Sequence, residues 1–236
     1  MIDIHTHILP GIDDGSVNFD MSVLMLEKAK SIGVTHIILT PHAIFGSSYY
    51  KSKETLFELF EDFKEKVEYI GIKLYLGSEI YYSEKNYKNL LNGELVTFNN
   101  SVYCLVEYPM HEETEIEETL YNIRVKGYKP ILAHPERYKF LDSNKVRQIR
   151  LNALIQVNTT SILGLHGKKI KKFAFELMKL NLVDFISSDC HDLEDRNVNL
   201  DEAYKIVSKK FGDKYANKVF IQNQKKLIEK IENGLV

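Results

Sequence analysis

The sequence predicts an α/β fold whose parallel sheet closes into a distorted seven-stranded (β/α)7 barrel, and three observations carry that expectation. Short apolar, β-branched runs alternate with longer segments of helical period along most of the 236 residues. Such alternation returns the chain to start each strand in the same direction. The 44% hydrophobic content is enough for one substantial core and no shift in composition marks a boundary, so residues 1–236 read as a single domain. Histidines and acids recur at the downstream ends of the strands, which asks for strand ends converging on one mouth. A closed barrel supplies that everywhere, and an open doubly wound sheet only near a switch point.

The first strand is expected from Ile2 to His5. A helix from Asp20 to Ile32 follows, with Met21, Leu24, Ala29 and Ile32 as its apolar stripe and Gly33 as a left-handed stop. Strand two runs from Thr35 to Thr40, and a helix from Lys53 to Ile70 leads to strand three, Lys73 to Gly77. Tyr81 to Val96 is extra material. Strand four, Val102 to Glu107, precedes a helix from Ile116 to Lys126; strand five, Pro130 to Ala133, precedes one from Ser143 to Leu151 with Ser143 as its N-cap. Strand six, Leu154 to Val157, is followed by Lys168 to Leu180, and strand seven, Asp184 to Ser187, by Leu200 to Lys210 with Asn199 as N-cap. The tail from Asp213 to Val236 reads as helical, docking through Val219, Leu227, Ile228 and Ile231.

With 31 basic and 33 acidic residues the formal charge is -2, which lacks the basic bias of a general nucleic-acid binder. The N-terminus has no basic and long apolar leader and no run approaches 18 apolar residues, so the expectation is a cytoplasmic protein without membrane insertion. Two cysteines, Cys104 and Cys190, make no disulfide framework.

Nine residues with metal-ligating side chains sit at or just after strand ends: His5, His7, Asp14, His42, Glu79, Glu107, His134, Asp189 and His191. Residues two apart on extended chain point the same way, so His5 and His7 can meet one cation, as can Asp189 and His191. Asp13-Asp14-Gly15 has an equal structural reading as an Asx-type turn. Each residue alone is more often structural than catalytic; together they mark six of seven strand ends, and only strand six, ending at Asn158, lacks a candidate. Imidazole and carboxylate without thiolate suit Mn, Fe or Zn better than Ca or Mg. Nine donors exceed the needs of one ion: two ions are the minimum and three sharing bridging carboxylates the natural capacity, a grouping suited to in-line displacement at phosphorus.

Arg137 lies three residues past His134, where its guanidinium can fork onto phosphate oxygens; the structural alternative is an ion pair with Glu136 or Asp142. Arg196 is a second candidate for that duty. Cys190 and Arg196 also form the C-x5-R spacing of thiolate phosphatases, but Asp192, Glu194 and Asp195 lie between them with no glycine. Such a loop would repel a phosphate and raise the thiol pKa. His36 reads as a core or helix-facing residue, and His111 and His166 as solvent-exposed loop residues outside the site.

In order, HTHILPGIDDGS, LTPHAIFG, GSEI, VEYP, LAHPERY and SSDCH resemble the polymerase and histidinol phosphatase (PHP) superfamily, and within it the metal-dependent protein tyrosine phosphatases of bacterial capsule and exopolysaccharide operons. The resemblance implies a distorted seven-stranded barrel with three metals, often manganese, at its C-terminal mouth. It assigns His5, His7, Glu79 and Asp189 to the first ion, Glu79, Glu107 and His134 to the second, and Asp14, His42 and His191 to the third. The choice of Asp14 over Asp13 rests on that resemblance alone. The chain departs from the pattern at Cys190 and at Asn223-Gln224, where Asn-Pro is more usual.

The expected activity is hydrolysis of a phosphotyrosine monoester by a hydroxide held between metals, with Arg137 offsetting phosphoryl charge. By the resemblance, the substrate is an autophosphorylating bacterial tyrosine kinase controlling polysaccharide export. Tyr49, Tyr50, Tyr81, Tyr82 and Tyr138 are candidates for the entrance. Two alternatives stand beside it: a small-molecule phosphomonoesterase such as histidinol phosphatase, and a non-catalytic metal-binding module.

Overall fold

The computed structural model describes residues 1–233, so the last three residues of the expected tail helix lie outside the described residues. The strands are β1 (Ile2–Asp3), β2 (His36–Leu39), β3 (His42–Ala43), β4 (Lys73–Leu76), β5 (Glu79–Tyr81), β6 (Tyr103–Glu107), β7 (Lys129–Leu132), β8 (Leu154–Asn158) and β9 (Phe185–Ser187). The connecting helices are α1 (Phe19–Ser31), α2 (Lys53–Val67), α3 (Glu84–Leu91), α4 (Ile116–Val125), α5 (Ser143–Ile149), α6 (Thr159–Leu163), α7 (Lys168–Lys179) and α8 (Leu200–Phe211). The tail forms α9 (Asp213–Asn217), a π-helical turn and α10 (Asn223–Glu232).

Every strand pair is parallel, but the hydrogen bonding falls into two curled sheets, β1-β2-β4 and β3-β5-β6-β7-β8-β9, rather than one seven-stranded sheet. The difference arises in the expected strands two and three, each broken in two. Pro41 has no N–H to donate, so β2 ends at Leu39 and pairing resumes at His42. In the neighbouring strand the break falls at Gly77-Ser78. Phe98 packs so tightly there that a Cβ on Gly77 would meet its ring at 2.6 Å. An isolated parallel bridge, Thr6 to Cys190, links the chain after β1 to the chain after β9.

Three local expectations are corrected. The buried face of α1 is Ser22, Met25, Leu26 and Ala29, while Leu24 is 51% exposed, because the helix turns a neighbouring stripe toward the sheet. Asp142, not Ser143, caps α5, accepting from the backbone N–H groups of Asn144 and Lys145. Asn199 makes no capping bond to α8, and its side chain accepts from the Thr159 hydroxyl instead. Gly33 does adopt the left-handed conformation just past α1, at φ 84°.

One apolar layer lies between sheets and helices, and a second fills the space the sheets enclose. Leu227, Ile228 and Ile231 of α10 pack into that inner layer against Ile4, Ile38, Leu105 and Ile131. Val219 docks in the outer layer. The tail thus plugs the end where the strands begin, leaving the end where they finish free for polar side chains.

Candidate metal centre

All nine sequence-predicted donors converge at the strand ends. His5, His7, Glu79 and Asp189 are buried together, the Nε2 atoms of both histidines lying 3.2–3.4 Å from Glu79 Oε2 and Asp189 Oδ1. Glu79 also faces His134 Nε2 at 3.0 Å, and Glu107 faces the same nitrogen at 3.5 Å. Asp14 Oδ1 lies 3.4 Å from His42 Nε2 and 3.3 Å from His191 Nε2. His42 Nδ1 reaches back to Glu79 at 3.0 Å, making Glu79 the carboxylate common to the whole group.

These spacings fit shared cations. Two donors about 2.1 Å from one ion and 90° apart lie about 3 Å from each other. Direct hydrogen bonding accounts for only part of the arrangement: His134 Nε2 hydrogen-bonds Glu79, whereas His42 Nδ1 and His191 Nε2 are buried and approach Glu79 and Asp14 without hydrogen-bond geometry. His5 Nε2 and His7 Nε2 face each other at 3.3 Å, and the protons of both rings are committed elsewhere. His5 Nδ1 donates to Gln156 Oε1 at 3.0 Å and His7 Nδ1 to Asp13 Oδ2 at 2.7 Å. Similarly His191 Nδ1 donates to the Asp189 carbonyl, leaving Nε2 as the lone-pair atom.

The strand without a ligand carries the supports. On β8, Gln156 Nε2 donates to Asn158 Oδ1, and Asn158 Nδ2 donates to Asp189 Oδ2 at 2.6 Å. Gln156 Oε1 also accepts from the His134 backbone N–H. One amide relay therefore orients ligands from three other strand ends. The signal in the sequence was two amide side chains at i, i+2 on a strand otherwise apolar, which no search for donors would collect. Asp13 and Asp14 separate in the same way: Asp14 faces the donors, while Asp13 holds the His7 ring and accepts from the His42 and Gly15 N–H groups. Gly15 is required there, since a Cβ would fall 2.1 Å from the His7 carbonyl oxygen. Two donors, His134 at φ 33° and Asp189 at φ 53°, sit in left-handed backbone, strain that the surrounding bonds must hold.

The electrostatics of the group are those of a cation trap. Burial opposes charge on His42, as does the neighbouring His7, yet Glu79 and Asp14 hold its pKa up at about 10. Burial, then the charge of Glu79, pushes the Glu107 carboxyl well above its ordinary range. His134 is pushed down to about 4 by burial and then Arg137, and His191 to about 4 by burial and then His7. Negative potential that retains protons on some members attracts metal ions equally, and the neutral imidazoles are ready to ligate.

Both predicted arginines reach the group. Arg137 Nη1 lies 3.4 Å from Asp189 Oδ2, and Arg196 lies 3.3 Å from Asp189 and 3.6 Å from Asp14. The alternative ion pairs of Arg137 are absent among the described residues: Glu136 is buried, accepting from the Asn158 N–H, and Asp142 caps α5. Tyr49 lays its ring over His42 at 6.2 Å, but Tyr138 is buried, its hydroxyl accepting from the Tyr108 N–H, and does not line the entrance.

The histidines outside the cluster divide. His111 is exposed as expected. His36 is only partly buried, bonded to the Thr35 hydroxyl and stacked on Tyr75, so it is not a core residue. His166 is partly buried rather than exposed: its Nε2 bonds the Thr160 hydroxyl at 3.0 Å, and burial, then Arg137, lowers its pKa to about 4. Cys190 is fully buried and burial pushes its thiol far up, the reverse of an activated nucleophile. Among the described residues no helix is long and apolar enough to cross a membrane.

Both the sequence and the fold match known proteins. The family model described as capsular polysaccharide synthesis, CpsB/CapC, matches residues 1–229. The tyrosine-protein phosphatase YwqE of Bacillus subtilis is 33% identical over 219 residues, 90% of this chain and 85% of that protein. The tyrosine-protein phosphatase CpsB of Streptococcus pneumoniae is 34% identical over 240 residues, covering 97% and 98%. A crystal structure from work on YwqE of B. subtilis and CpsB of S. pneumoniae, described as unique metal-dependent tyrosine phosphatases, superposes with a TM-score of 0.86 at 31% identity, covering 100% of this chain and 94% of that one. A phosphotriesterase homology protein of Escherichia coli shares the fold alone, at a TM-score of 0.59 and 11% identity over 95% of this chain and 97% of that one.

Proposed function

The chain belongs to the capsular polysaccharide synthesis CpsB/CapC family, and from that premise we propose that it is a metal-dependent protein tyrosine phosphatase. The observation that carries the proposal is the pair of guanidiniums, Arg137 and Arg196, on the rim of a buried imidazole and carboxylate cluster. Metal chemistry alone needs no such pair; binding of a phosphoryl dianion beside the metals does. Three ions are the reading the spacings support. His5, His7, Glu79 and Asp189 would hold one; Glu79 and Glu107 a second, with His134 facing both at 3.0 and 3.5 Å although His42 also lies within reach of them; and Asp14, His42 and His191, with His7 beside them, a third, with manganese preferred and iron or zinc compatible with the donor types. We also read the two sheets as one distorted seven-stranded β/α barrel in one domain. β2 with β3 and β4 with β5 continue one another across their breaks, and the Thr6 to Cys190 bridge joins the last strand to the first.

Divalent ions at such a site acidify water to supply a nucleophile near neutral pH and draw charge from the phosphoryl oxygens. The remaining work belongs to the protein. Arg137 and Arg196 orient the phosphoryl group and offset the charge that builds on it. Gln156, Asp13 and Asn158 hold His5, His7 and Asp189 with their ligating atoms aimed inward. Tyr49 offers its ring to the incoming phenyl group. A tyrosine leaving group, with a pKa of about 10, departs without strong acid assistance. The substrate this implies is a phosphotyrosine protein, with a bacterial tyrosine kinase of polysaccharide export as the partner. Its site of action is then cytoplasmic, consistent with two buried free thiols.

The deciding experiment compares metal-loaded protein on a phosphotyrosine peptide and on histidinol phosphate, with and without chelator. Chelator-sensitive turnover that prefers the peptide is expected. A marked preference for histidinol phosphate would move the chain to the small-molecule phosphatases, and no turnover of either would leave a metal-binding module.

A further inference from the structure

Beside the centre lies a groove of about 640 Å³ whose walls carry Arg137, Lys139, Lys168 and Lys169 over a floor that includes Leu141 and Phe173. We propose that this groove binds acidic residues flanking the phosphotyrosine of a peptide substrate; the assignment rests on the phosphatase reading and adds sequence selectivity to it.

Charge, position and shape each support it. Lys139, Lys168 and Lys169 are exposed and make no ion pair among the described residues, whereas nearby Lys145 is paired with Glu113 at 2.7 Å. The one carboxylate in the wall, Glu136, is buried and accepts from the Asn158 N–H, so it does not cancel the surface charge. Helix α7 then places Lys168, Lys169, Lys171 and Lys172 in its first five positions, where the helix dipole disfavours cations. Of these four, Lys168 and Lys169 line the groove, while the Lys171 ammonium is bonded to the Leu163 carbonyl. The contrast with the neighbouring rim is sharp, because the segment after β6 carries Glu112, Glu113, Glu115, Glu117 and Glu118.

Position makes the occupant part of the substrate. Arg137 belongs both to the groove and to the centre, where it lies 3.4 Å from Asp189, so whatever enters the groove is contiguous with the phosphoester. The apolar floor favours side chains with carboxylate tips over a bare polyanion. A groove of this size accepts the side chains of a short peptide segment.

The test uses the full-length, metal-loaded protein and two phosphotyrosine peptides that differ only in flanks, glutamate or glutamine. The readout is the ratio of their kcat/KM values. The wild-type protein is expected to favour the acidic peptide by roughly tenfold at low salt, with the preference shrinking as salt rises. In the double variant K168E/K169E the ratio should fall to one or below, with thermal unfolding reporting that the variant is folded. Equal kcat/KM for both peptides in the wild type, or an unchanged preference in the variant, overturns the groove assignment and leaves the phosphatase reading standing. Turnover of neither peptide overturns the phosphatase reading and the groove's occupant with it. Should the variant instead lose binding to vesicles of anionic phospholipid while the peptide ratio holds, the groove is a membrane contact and the proposal is wrong.

Discussion

At the scale of single residues, the side chains proposed to touch ions or phosphate differ from those that would hold them in place, and substitution should distinguish the two. Arg137→Ala removes a guanidinium that contributes no donor to a metal, so turnover should fall by about a hundredfold or more while metal content measured by elemental analysis stays at the wild-type level. Wild-type rates would remove its assigned role. Gln156→Leu should do the reverse. It frees the His5 ring and the Asn158 amide, and the expected result is a loss of metal affinity of about 10–100-fold, read by competition with a chelator. Undiminished affinity would show that the relay is packing only. Cys190→Ser tests the thiolate alternative: the buried thiol is expected to be dispensable, and a loss of several orders of magnitude at full metal content would overturn the metal mechanism. The nine donors and both arginines were legible in the sequence because each is a chemically distinctive side chain recurring at strand ends. The relay was not, because glutamine and asparagine on a strand carry no mark of their partners until the fold brings His5, His134 and Asp189 to them.

At the scale of elements, the alternation of the main strands and helices was legible, since apolar periodicity reports which face is buried, whereas the short helices α3 and α6 were not legible. The breaks in strands two and three were not. Pro41 was visible, but the Gly77 break depends on Phe98, a contact between segments about twenty residues apart in sequence. The cap of α5 was misplaced by one residue because Asp142 and Ser143 are both good capping types and only backbone geometry chooses between them. The tail helix is the element whose role the sequence read best, naming four docking residues that are all buried. Because Ile228 fills the space enclosed by the strands, Ile228→Ala should leave a cavity there and cost about 2–4 kcal/mol, measured as a shift in the urea midpoint at unchanged slope. Metal content should be retained, since the donors sit at the opposite end of the strands. A variant as stable as wild type would show that α10 is an appendage rather than a plug.

At the scale of the whole molecule, metal loading, protonation and folding form one linked equilibrium. His42 has its pKa raised from 6.5 to about 10 in the metal-free fold, so the folded state holds a proton there that the unfolded chain releases above 6.5. Its contribution to stability is fully present below that value and is lost as the pH rises toward 10. Glu107, also raised, acts in the same direction: ionising it within the cluster beside Glu79 penalises the fold as the pH rises. His134 and His191, lowered to about 4, act the other way, but the unfolded chain sheds their protons around 6.5, so their opposition fades within about one pH unit above it. The metal-free protein should therefore lose stability as the pH is raised from 6.5 to 8.5. Ligation requires His42 and Glu107 to have shed their protons, so metal affinity should rise over the same interval with proton release on binding. The two slopes add. The difference in Tm between manganese-loaded and chelated protein is expected to widen from pH 6.5 to 8.5, and calorimetric titration in buffers of different ionisation enthalpy should count the released protons. A Tm difference that is flat or shrinks across that interval would mean that metal binding does not draw on the raised groups of the cluster, His42 and Glu107 together with His5 and His7.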